Sequence, residues 1–404
     1  MSLTVLMNAG PWLPVPPQGY GGIENVVATL VPELRKAGVR VVLATVGPST
    51  LEADEYIRPL TEPRFSSIAA PYNQSSGIAH AHMQAVVAYL RDNPGIDLVH
   101  DHLEVVGPAV LSAMGEAAPP TLQTLHWDLG KHADFYSAFD GYGRIGFAAV
   151  SQSQLDRAPA ALRAQTLGVV PLAVPPHQAL DIERGEHAIV LARITRDKGQ
   201  DVAARVCLRA GVPLILAGPV AGVNDPEELN RRVADGDTAL ASHPDVRFYF
   251  DHVAPLIDDD RVRWVGGVSG TAKERLLQSA RLMLTPNQWA EPGATGVVEA
   301  LARGVPVVGT PRGVLPALVE HGVTGFLAEE EDGLVHCVQS IDSIDPQACR
   351  AAAAPWQPQE MARQYIELYE KLLAGAQAPP RRSVQSGSAR PQDEPLTTAE
   401  ESSC

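Results

Sequence analysis

The sequence predicts an α/β protein built from two Rossmann-like domains, each with a doubly wound parallel sheet. Short apolar runs of strand length alternate with longer stretches of helical periodicity, which is the pattern of βαβ units. The alternation stops at a Pro-rich polar segment, residues 170–187, and then starts again. The chain has 404 residues, more than one hydrophobic core usually spans, so two domains are expected.

The first half carries the strands and the first helix of one domain. Strands are predicted at 3–9, 39–47, 97–102, 121–126 and 146–151. Apolar residues between the first two strands follow the spacing of one helix face, namely Ile23, Val26, Val27, Leu30 and Leu34. Gly38 is expected to end this helix, and Pro32 to bend it.

The second half repeats the rhythm. Strands are predicted at 187–194, 212–219, 262–267, 281–287 and 305–310, with helices at 199–211, 271–280 and 295–303. We therefore expect an N-terminal domain over 1–175 and a C-terminal domain over 176–373. A last amphipathic helix is predicted at 356–373, and the polar composition of 376–404 predicts a disordered tail.

Composition excludes several classes of protein. The formal net charge is −15, so nucleic acid and anionic membrane surfaces are poor partners. The four cysteines show no CxxC spacing, which supports neither a disulfide framework nor a zinc site. There is no apolar run of about 18 residues and no basic segment at the start, so a cytoplasmic protein without an integral membrane segment is expected.

A glycine-rich loop precedes the first helix. In PPQGYGGIENV, Gly21 and Gly22 stand where bare backbone N–H groups at a helix start admit a phosphate. The motif is not GxGxxG, and a loop that merely needs glycines is about equally consistent with it.

Two cations follow the first strand of the second domain. Arg193 and Lys198, in LARITRDKGQD, flank a turn before a helix. A guanidinium fork and an ammonium group at a strand end suit a diphosphate, although solvated surface cations are the alternative.

The stretch WAEPGATGVVEALARG, residues 289–304, places two glutamates around a helix start. Thr295 is predicted as the N-cap, and the N–H groups near Ala294 and Thr295 form a second anion cradle. A carboxylate accepts well from a vicinal diol, so Glu291 and Glu299 would bind hydroxyls on either side of a diphosphate. A nucleotide sugar has that arrangement.

His126 ends a strand of the first domain, at the edge where doubly wound sheets bind ligands. A structural histidine is the commoner alternative, and His100 and His102 raise the same question. The three lack metal-type spacing, so no metal site is predicted. Trp12, Tyr20 and Trp127 could form an aromatic wall for an acceptor, although core packing explains them as well.

Over residues 3–373 these motifs, taken in order, resemble glycosyltransferase family 4, the retaining glycosyltransferases with two facing Rossmann-like domains known as the GT-B fold. PPQGYGGIENVVATL resembles the family's glycine loop, and ARITRDKG its G-R-L-x-x-x-K-G segment with Ala192 in place of the leading glycine. WAEPGATGVVEALARGVPVVGT resembles its E-x7-E block. The usual E-P-F-G is altered here, because Gly293 replaces the phenylalanine and Ala294 the glycine.

The resemblance implies a hexosyltransferase that moves a sugar from a nucleotide sugar to a hydroxyl acceptor, with UDP favoured over GDP as the nucleotide. It also implies that no metal and no cofactor are needed. The final helix would cross back onto the first domain. Monomer and dimer stay open. The roles it implies are diphosphate binding by Gly21, Gly22, Arg193, Lys198, Ala294 and Thr295, sugar binding by Glu291, Gly293 and His126, ribose binding by Glu299, base binding by Gly267 and Val268, and catalysis by His126, Glu291, Arg193 and Lys198.

Three other functions are weighed against this one. A sugar-nucleotide epimerase or phosphorylase could use the same fold, and so could a nucleotide-binding protein without turnover. An NAD dehydrogenase is less favoured, because neither domain shows GxGxxG after its first strand.

Overall fold

A computed structural model describes residues 3–17, 19, 21–68, 71–176 and 179–377. The first domain contains a seven-stranded parallel sheet of order β3-β2-β1-β4-β5-β6-β7. Its strands are β1 (Thr4–Asn8), β2 (Arg40–Ala44), β3 (Glu55–Ile57), β4 (Leu98–Asp101), β5 (Thr121–Leu125), β6 (Ile145–Ala149) and β7 (Thr166–Val169). The central strands β1, β4, β5 and β6 are buried along their whole length, as a sheet covered by helices on both faces requires.

Helices cover both faces of this sheet. They are α1 (Gly22–Lys36), α2 (Tyr72–Asp92), α3 (Val106–Ala113), α4 (Ala133–Ala138), α5 (Gln152–Asp156) and α6 (Ala160–Gln165), with short 3-10 turns at Phe65–Ser67, Gly115–Ala117 and Leu129–His132. The predicted stripe of α1 is confirmed for Val26, Val27, Leu30 and Leu34, which are buried. Pro32 lies inside one continuous helix, and Gly38 follows its end with a φ of 87°.

The second domain contains a six-stranded parallel sheet of order β10-β9-β8-β11-β12-β13. Its strands are β8 (Ala188–Leu191), β9 (Leu214–Ala217), β10 (Val262–Trp264), β11 (Leu282–Thr285), β12 (Val307–Gly309) and β13 (Gly325–Leu327). Its helices are α7 (Gln200–Ala210), α8 (Pro226–Ala234), α9 (Thr238–Ser242), α10 (Pro244–Phe248), α11 (Gly270–Ser279), α12 (Thr295–Ala302), α13 (Leu315–Leu318), α14 (Glu331–Gln339) and α15 (Pro346–Ala353), with a π-helical turn at Tyr249–Val253 and 3-10 turns at Arg196–Lys198, Ala254–Leu256 and Ile341–Ser343.

The last helix, α16 (Pro358–Gln377), returns to the first domain. Met361, Ala362, Tyr365, Tyr369 and Leu372 are buried in the core cluster that contains α1 and the first strands. The helix begins two residues later and ends four residues later than predicted, so 376 and 377 belong to it. The remainder of the predicted tail lies outside the described residues.

In each sheet the order in which successive strands are added reverses at one place. This switch point lies between β1 and β4 in the first sheet and between β8 and β11 in the second. In doubly wound sheets the loops at the carboxyl ends of those strands form the ligand crevice. The four loops concerned carry the glycine-rich segment, His102, Arg193 with Lys198, and Glu291. No described helix is long and apolar enough to cross a membrane.

Candidate active site between the two domains

A cavity of about 270 Å³ lies between the domains, at the carboxyl ends of their strands. It brings together sequence-predicted residues from both halves of the chain. Those that line it are Gly22, His126, Arg193, Lys198, Glu291, Gly293, Ala294 and Thr295. Glycine loop, cations, carboxylate and helix start therefore share one cleft, although they are far apart in sequence.

The loop after β8 is held in place by its own side chains and by the loop after β11. The buried amide of Gln200 donates to the Arg193 carbonyl at 2.7 Å. The backbone N–H of Gln288 donates to the Asp197 carbonyl at 2.8 Å. Gly199, at a φ of 69°, lets the loops approach, because a Cβ there would lie 2.4 Å from the Pro286 oxygen. These contacts set Lys198 opposite the residues that follow β11.

Lys198 and Glu291, which both line the cavity, form a hydrogen-bonded ion pair. The indole N–H of Trp289 donates to the same Glu291 oxygen at 3.1 Å. The Glu291 carbonyl accepts from the Val314 N–H at 2.8 Å, and the residue is only 8% exposed. Glu291 is thus fixed at both its backbone and its carboxylate, with a cation beside it.

The start of α12 differs from the prediction that Thr295 is the N-cap. Ala294 occupies the N-cap position in the left-handed region, with a φ of 45°, and Thr295 is the first helical residue. The expected side-chain cap is absent from the described residues of this helix start. The N–H groups of Ala294, Thr295 and Gly296 have no protein acceptor in the described part of the chain. Because all three residues line the cavity, these donors are available to an anionic ligand.

Four predicted residues do not line this cavity. The Glu299 carboxylate lies further along α12 and binds the Lys273 ammonium at 2.8 Å. The Gly267 N–H donates to the Asn224 carbonyl at 2.8 Å, and Val268 follows it. A Cβ on Gly21 would lie 2.6 Å from the Pro17 side chain. Glu299 and Gly267 therefore each have a protein partner.

His126 is positioned by the buried side chain of Gln154. The side-chain amide nitrogen of Gln154 donates to the carbonyls of Leu125 and Trp127, the two neighbours of His126 in the chain, at 2.9 and 2.8 Å. The His126 Nε2 lies 2.8 Å from Nδ1 of His102, which follows β4. Burial lowers the pKa of His126 to about 3, so its ring is neutral at physiological pH.

His100 belongs to the core rather than to the cleft. Its ring nitrogens lie 2.7 Å from the Tyr369 hydroxyl of α16 and 2.8 Å from the Thr124 hydroxyl. The Thr124 hydroxyl in turn lies 3.0 Å from that of Tyr365. For this residue the structural alternative is the better account. Among the described residues there is no group of three or more side chains arranged to hold a metal ion.

Glu24 also lines the cavity, although the sequence did not predict it as a site residue. It lies in the first turn of α1 and is 5% exposed. Burial raises the pKa of its carboxyl group to about 7, against backbone hydrogen bonds that lower it. An acid in the first turn of a helix after a glycine loop was the available signal, but first-turn acids are common for dipole reasons alone. Trp12 and Trp127 also line the cavity, and Tyr20 lies outside the described residues.

Two facing doubly wound domains, a cleft between their strand ends and a last helix that returns to the first domain define the GT-B fold. Two family models match the chain: "Glycosyltransferase Family 4" over residues 20–166 and "Glycosyl transferases group 1" over residues 177–344. Together they cover well over half of its 404 residues. The chain belongs to the family 4, or group 1, glycosyltransferases.

Known proteins agree with this assignment. The amylovoran biosynthesis glycosyltransferase AmsK of Erwinia amylovora is 29% identical over 212 residues, which are 48% of this chain and 46% of that protein. AviGT4, a glycosyltransferase involved in avilamycin A biosynthesis, superposes with a TM-score of 0.64 at 25% identity, covering 92% of this chain and 98% of that one. HepE of Anabaena, solved in complex with UDP and glucose, has a TM-score of 0.60 at 16% identity and covers 91% and 100%. The chain aligns with about half the length of the curated relatives it matches.

Proposed function

We propose that this protein transfers a hexose from a nucleoside diphosphate sugar to a hydroxyl acceptor, with retention of configuration at the anomeric carbon. The observation that carries the proposal is the Lys198–Glu291 pair in the cavity that the α12 start and His126 also line. A cation and backbone donors suit a diphosphate, and a carboxylate beside them suits the hydroxyl groups of an attached sugar.

The chemistry requires the diphosphate to leave the anomeric carbon. Negative charge then develops on its oxygens, and Arg193, Lys198 and the N–H groups of residues 294–296 would stabilise it without a resident metal. Lys198 is already held in place by Glu291, so little reorganisation is needed when phosphate arrives. Glu291 would accept hydrogen bonds from the hydroxyls of the transferred sugar. The acceptor hydroxyl would attack the anomeric carbon from the face that the diphosphate leaves, and its proton would pass to an oxygen of the departing diphosphate.

UDP is the nucleotide we favour. HepE, which shares this fold, binds UDP and glucose, and the favoured nucleotide rests on that likeness of fold. Glu299 would accept hydrogen bonds from the ribose hydroxyls, for which the Lys273 ion pair would have to rearrange. The loop at Gly267 and Val268 would contact the base.

A thermal-shift panel of UDP- and GDP-sugars tests the binding step, because a ligand specific for the folded state raises the melting temperature by mass action. We expect a UDP-sugar to give the largest shift, and Lys198→Ala to reduce it. Release of UDP from that sugar, with and without candidate acceptors, then separates a transferase from a protein that only binds. No shift with any nucleotide sugar, or binding without any turnover, would contradict the proposal.

A further inference from the structure

His126, which lines the cavity, and the buried His102 are linked in a way that determines where their protons lie. His102 Nδ1 lies 2.8 Å from His126 Nε2, and the ring centroids are 5.1 Å apart. His102 Nε2 lies 3.1 Å from the sulfur of Met7 on β1. Between two neutral imidazoles one nitrogen donates and the other accepts, so the question is which ring donates.

Met7 determines which ring donates, because a thioether sulfur carries no proton and can only accept a hydrogen bond. If His102 Nε2 were unprotonated, two lone pairs would face each other at 3.1 Å. His102 is fully enclosed, and burial, with the neighbouring imidazoles, holds its pKa well below 6.5. A neutral His102 has one ring proton, which therefore lies on Nε2, and its Nδ1 is an acceptor.

The single ring proton of His126 can be assigned in the same way. Its Nε2 must carry the proton that is donated to His102. Because burial keeps His126 neutral as well, its Nδ1 is left unprotonated. This Nδ1 has no hydrogen-bond partner among the described residues. It is also not one of their buried unpaired atoms, and His126 lines the cavity, so Nδ1 is accessible from the cavity. The nitrogen that a ligand meets is therefore an acceptor.

We infer that His102 is a positioning residue that fixes His126 as its Nε2–H tautomer, so that His126 accepts a hydrogen bond from a hydroxyl group of the bound sugar. The hydroxyl as ligand rests on the proposed function, whereas the tautomer rests on the geometry alone. An unprotonated nitrogen repels a phosphate oxygen, so His126 would discriminate the sugar end of the donor from the diphosphate end.

The positions of both rings are fixed by the surrounding fold. The His102 N–H donates to the Asn8 carbonyl at 3.0 Å, and the His100 ring packs against His102 with centroids 4.3 Å apart. Gln154 holds the backbone on both sides of His126. A flip of the His102 ring would take its nitrogens away from His126 and Met7, and a flip of the His126 ring would break the contact with His102, so the observed contacts select one tautomer before the ligand binds.

Long-range proton–nitrogen NMR of protein labelled with ¹⁵N-histidine measures the tautomers directly. We expect a protonated Nε2 and a bare Nδ1 on both rings, with the signals assigned from their loss in His102→Asn and His126→Asn. A proton on Nδ1 of His126 in the ligand-free protein would overturn the inference. This measurement needs no donor, so it stands whether or not the proposed function holds.

Binding of UDP and of UDP-glucose gives the functional test. His102→Asn keeps an amide oxygen close to the position of Nδ1, whereas His102→Leu removes the acceptor. We expect His102→Leu to weaken UDP-glucose about tenfold, the worth of one hydrogen bond, and His102→Asn to restore most of that loss. UDP alone, which lacks the sugar, should bind both variants as it binds the wild type.

The outcomes separate the two proposals. The exposed His80→Asn serves as a matched control and should leave both affinities unchanged. Equal losses of UDP-glucose binding in the Leu and Asn variants, or losses that extend to UDP, would show a merely structural role for His102. A wild-type protein that binds neither probe would overturn the proposed function, while the NMR result would still decide the tautomer.

Discussion

At the scale of single residues, the Lys198–Glu291 pair joins function to stability. Glu291 is 8% exposed, so removal of its cation leaves a nearly buried carboxylate with a lost partner. Loss of one partner of a fully buried pair costs 3–5 kcal/mol, and this pair is partly open, so we expect Lys198→Met to cost about 2 kcal/mol of unfolding free energy. Transfer should fall at least tenfold.

A second substitution separates the two effects. In Lys198→Met with Glu291→Gln the uncompensated charge is gone, so most of the stability should return while transfer stays low. Arg363→Met is the control, because Arg363 pairs with Glu367 at the surface, where the two side chains are 56% and 57% exposed. Chemical denaturation and initial rates measure both quantities. A fully active Lys198→Met protein would refute the site.

Glu24 makes stability depend on pH. Its pKa rises from an ordinary value of 4.5 to about 7 on folding, because burial disfavours the carboxylate. The folded state therefore binds this proton more tightly, and the stabilisation is complete below 4.5 and lost as the pH rises through 7. The difference corresponds to roughly 3 kcal/mol at most.

Comparison with Glu24→Gln isolates this group, since the other titrating residues are common to both proteins. We expect the stability of the variant relative to wild type to increase between pH 4.5 and 8.5, by up to roughly 3 kcal/mol. Glu227→Gln, an exposed acid in the first turn of α8, should show no such trend. Denaturation midpoints measured across the pH range decide the matter, and parallel curves for Glu24→Gln and wild type would exclude the effect.

At the scale of elements, the sequence predicted those that carry the strongest patterns. The ten predicted strands all exist, since buried parallel strands are continuous apolar runs. The strands β3, β7 and β13 were not predicted, because they lie at sheet edges and are only partly buried, so they do not need a continuous apolar run. The site loops were predictable because each follows a strand end. The position of Ala294 rather than Thr295 at the N-cap was not, because alanine seldom adopts the left-handed conformation that it has here.

The packing around Gly293 explains why the loop after β11 lacks the phenylalanine that is usual in the family. A Cβ on Gly293 would lie 2.9 Å from Leu172 Cδ1 and 3.7 Å from Val150 Cγ2, both in the core cluster of the first domain. Leu172 thus fills space beside the position where the family usually has phenylalanine. The departure in this loop is matched by a side chain more than a hundred residues earlier in the chain.

We predict that Gly293→Phe costs about 1–3 kcal/mol by overpacking against Leu172. In a Leu172→Ala background the same change should cost at least about 1 kcal/mol less, because the residues in contact are coupled. Gly296→Ala is the control, since its nearest contact is an ordinary 3.5 Å. A double-mutant cycle by denaturation measures the coupling, and additive effects would show that Leu172 is not what excludes the ring.

At the scale of the whole molecule, contacts between the domains hold the site together. Arg157 of the first domain donates to the Ala290 carbonyl, directly before Glu291, at 3.1 Å. The helix α16 follows the second domain in sequence and inserts Tyr365 and Tyr369 into the first, where both are fully buried. The sequence indicated an amphipathic helix here. It could not identify the bonds to His100 and Thr124, which join residues more than 240 apart.

This arrangement predicts that the two domains unfold together. Tyr369→Ala removes a buried aromatic ring, at a cost of about 3–5 kcal/mol, and deprives His100 of one of its two hydrogen-bond partners. Tyr369→Phe loses only the hydroxyl and should cost about 1 kcal/mol.

Calorimetry should show one transition for the wild type and Tyr369→Phe, but two for Tyr369→Ala, because the first domain then loses the packing of α16 before the second domain melts. Glu370→Ala, on the exposed face of the same helix, should leave the single transition intact. A single transition in Tyr369→Ala, merely shifted to lower temperature, would mean that the cleft contacts of Arg157 and Gly293 suffice to couple the domains without the helix.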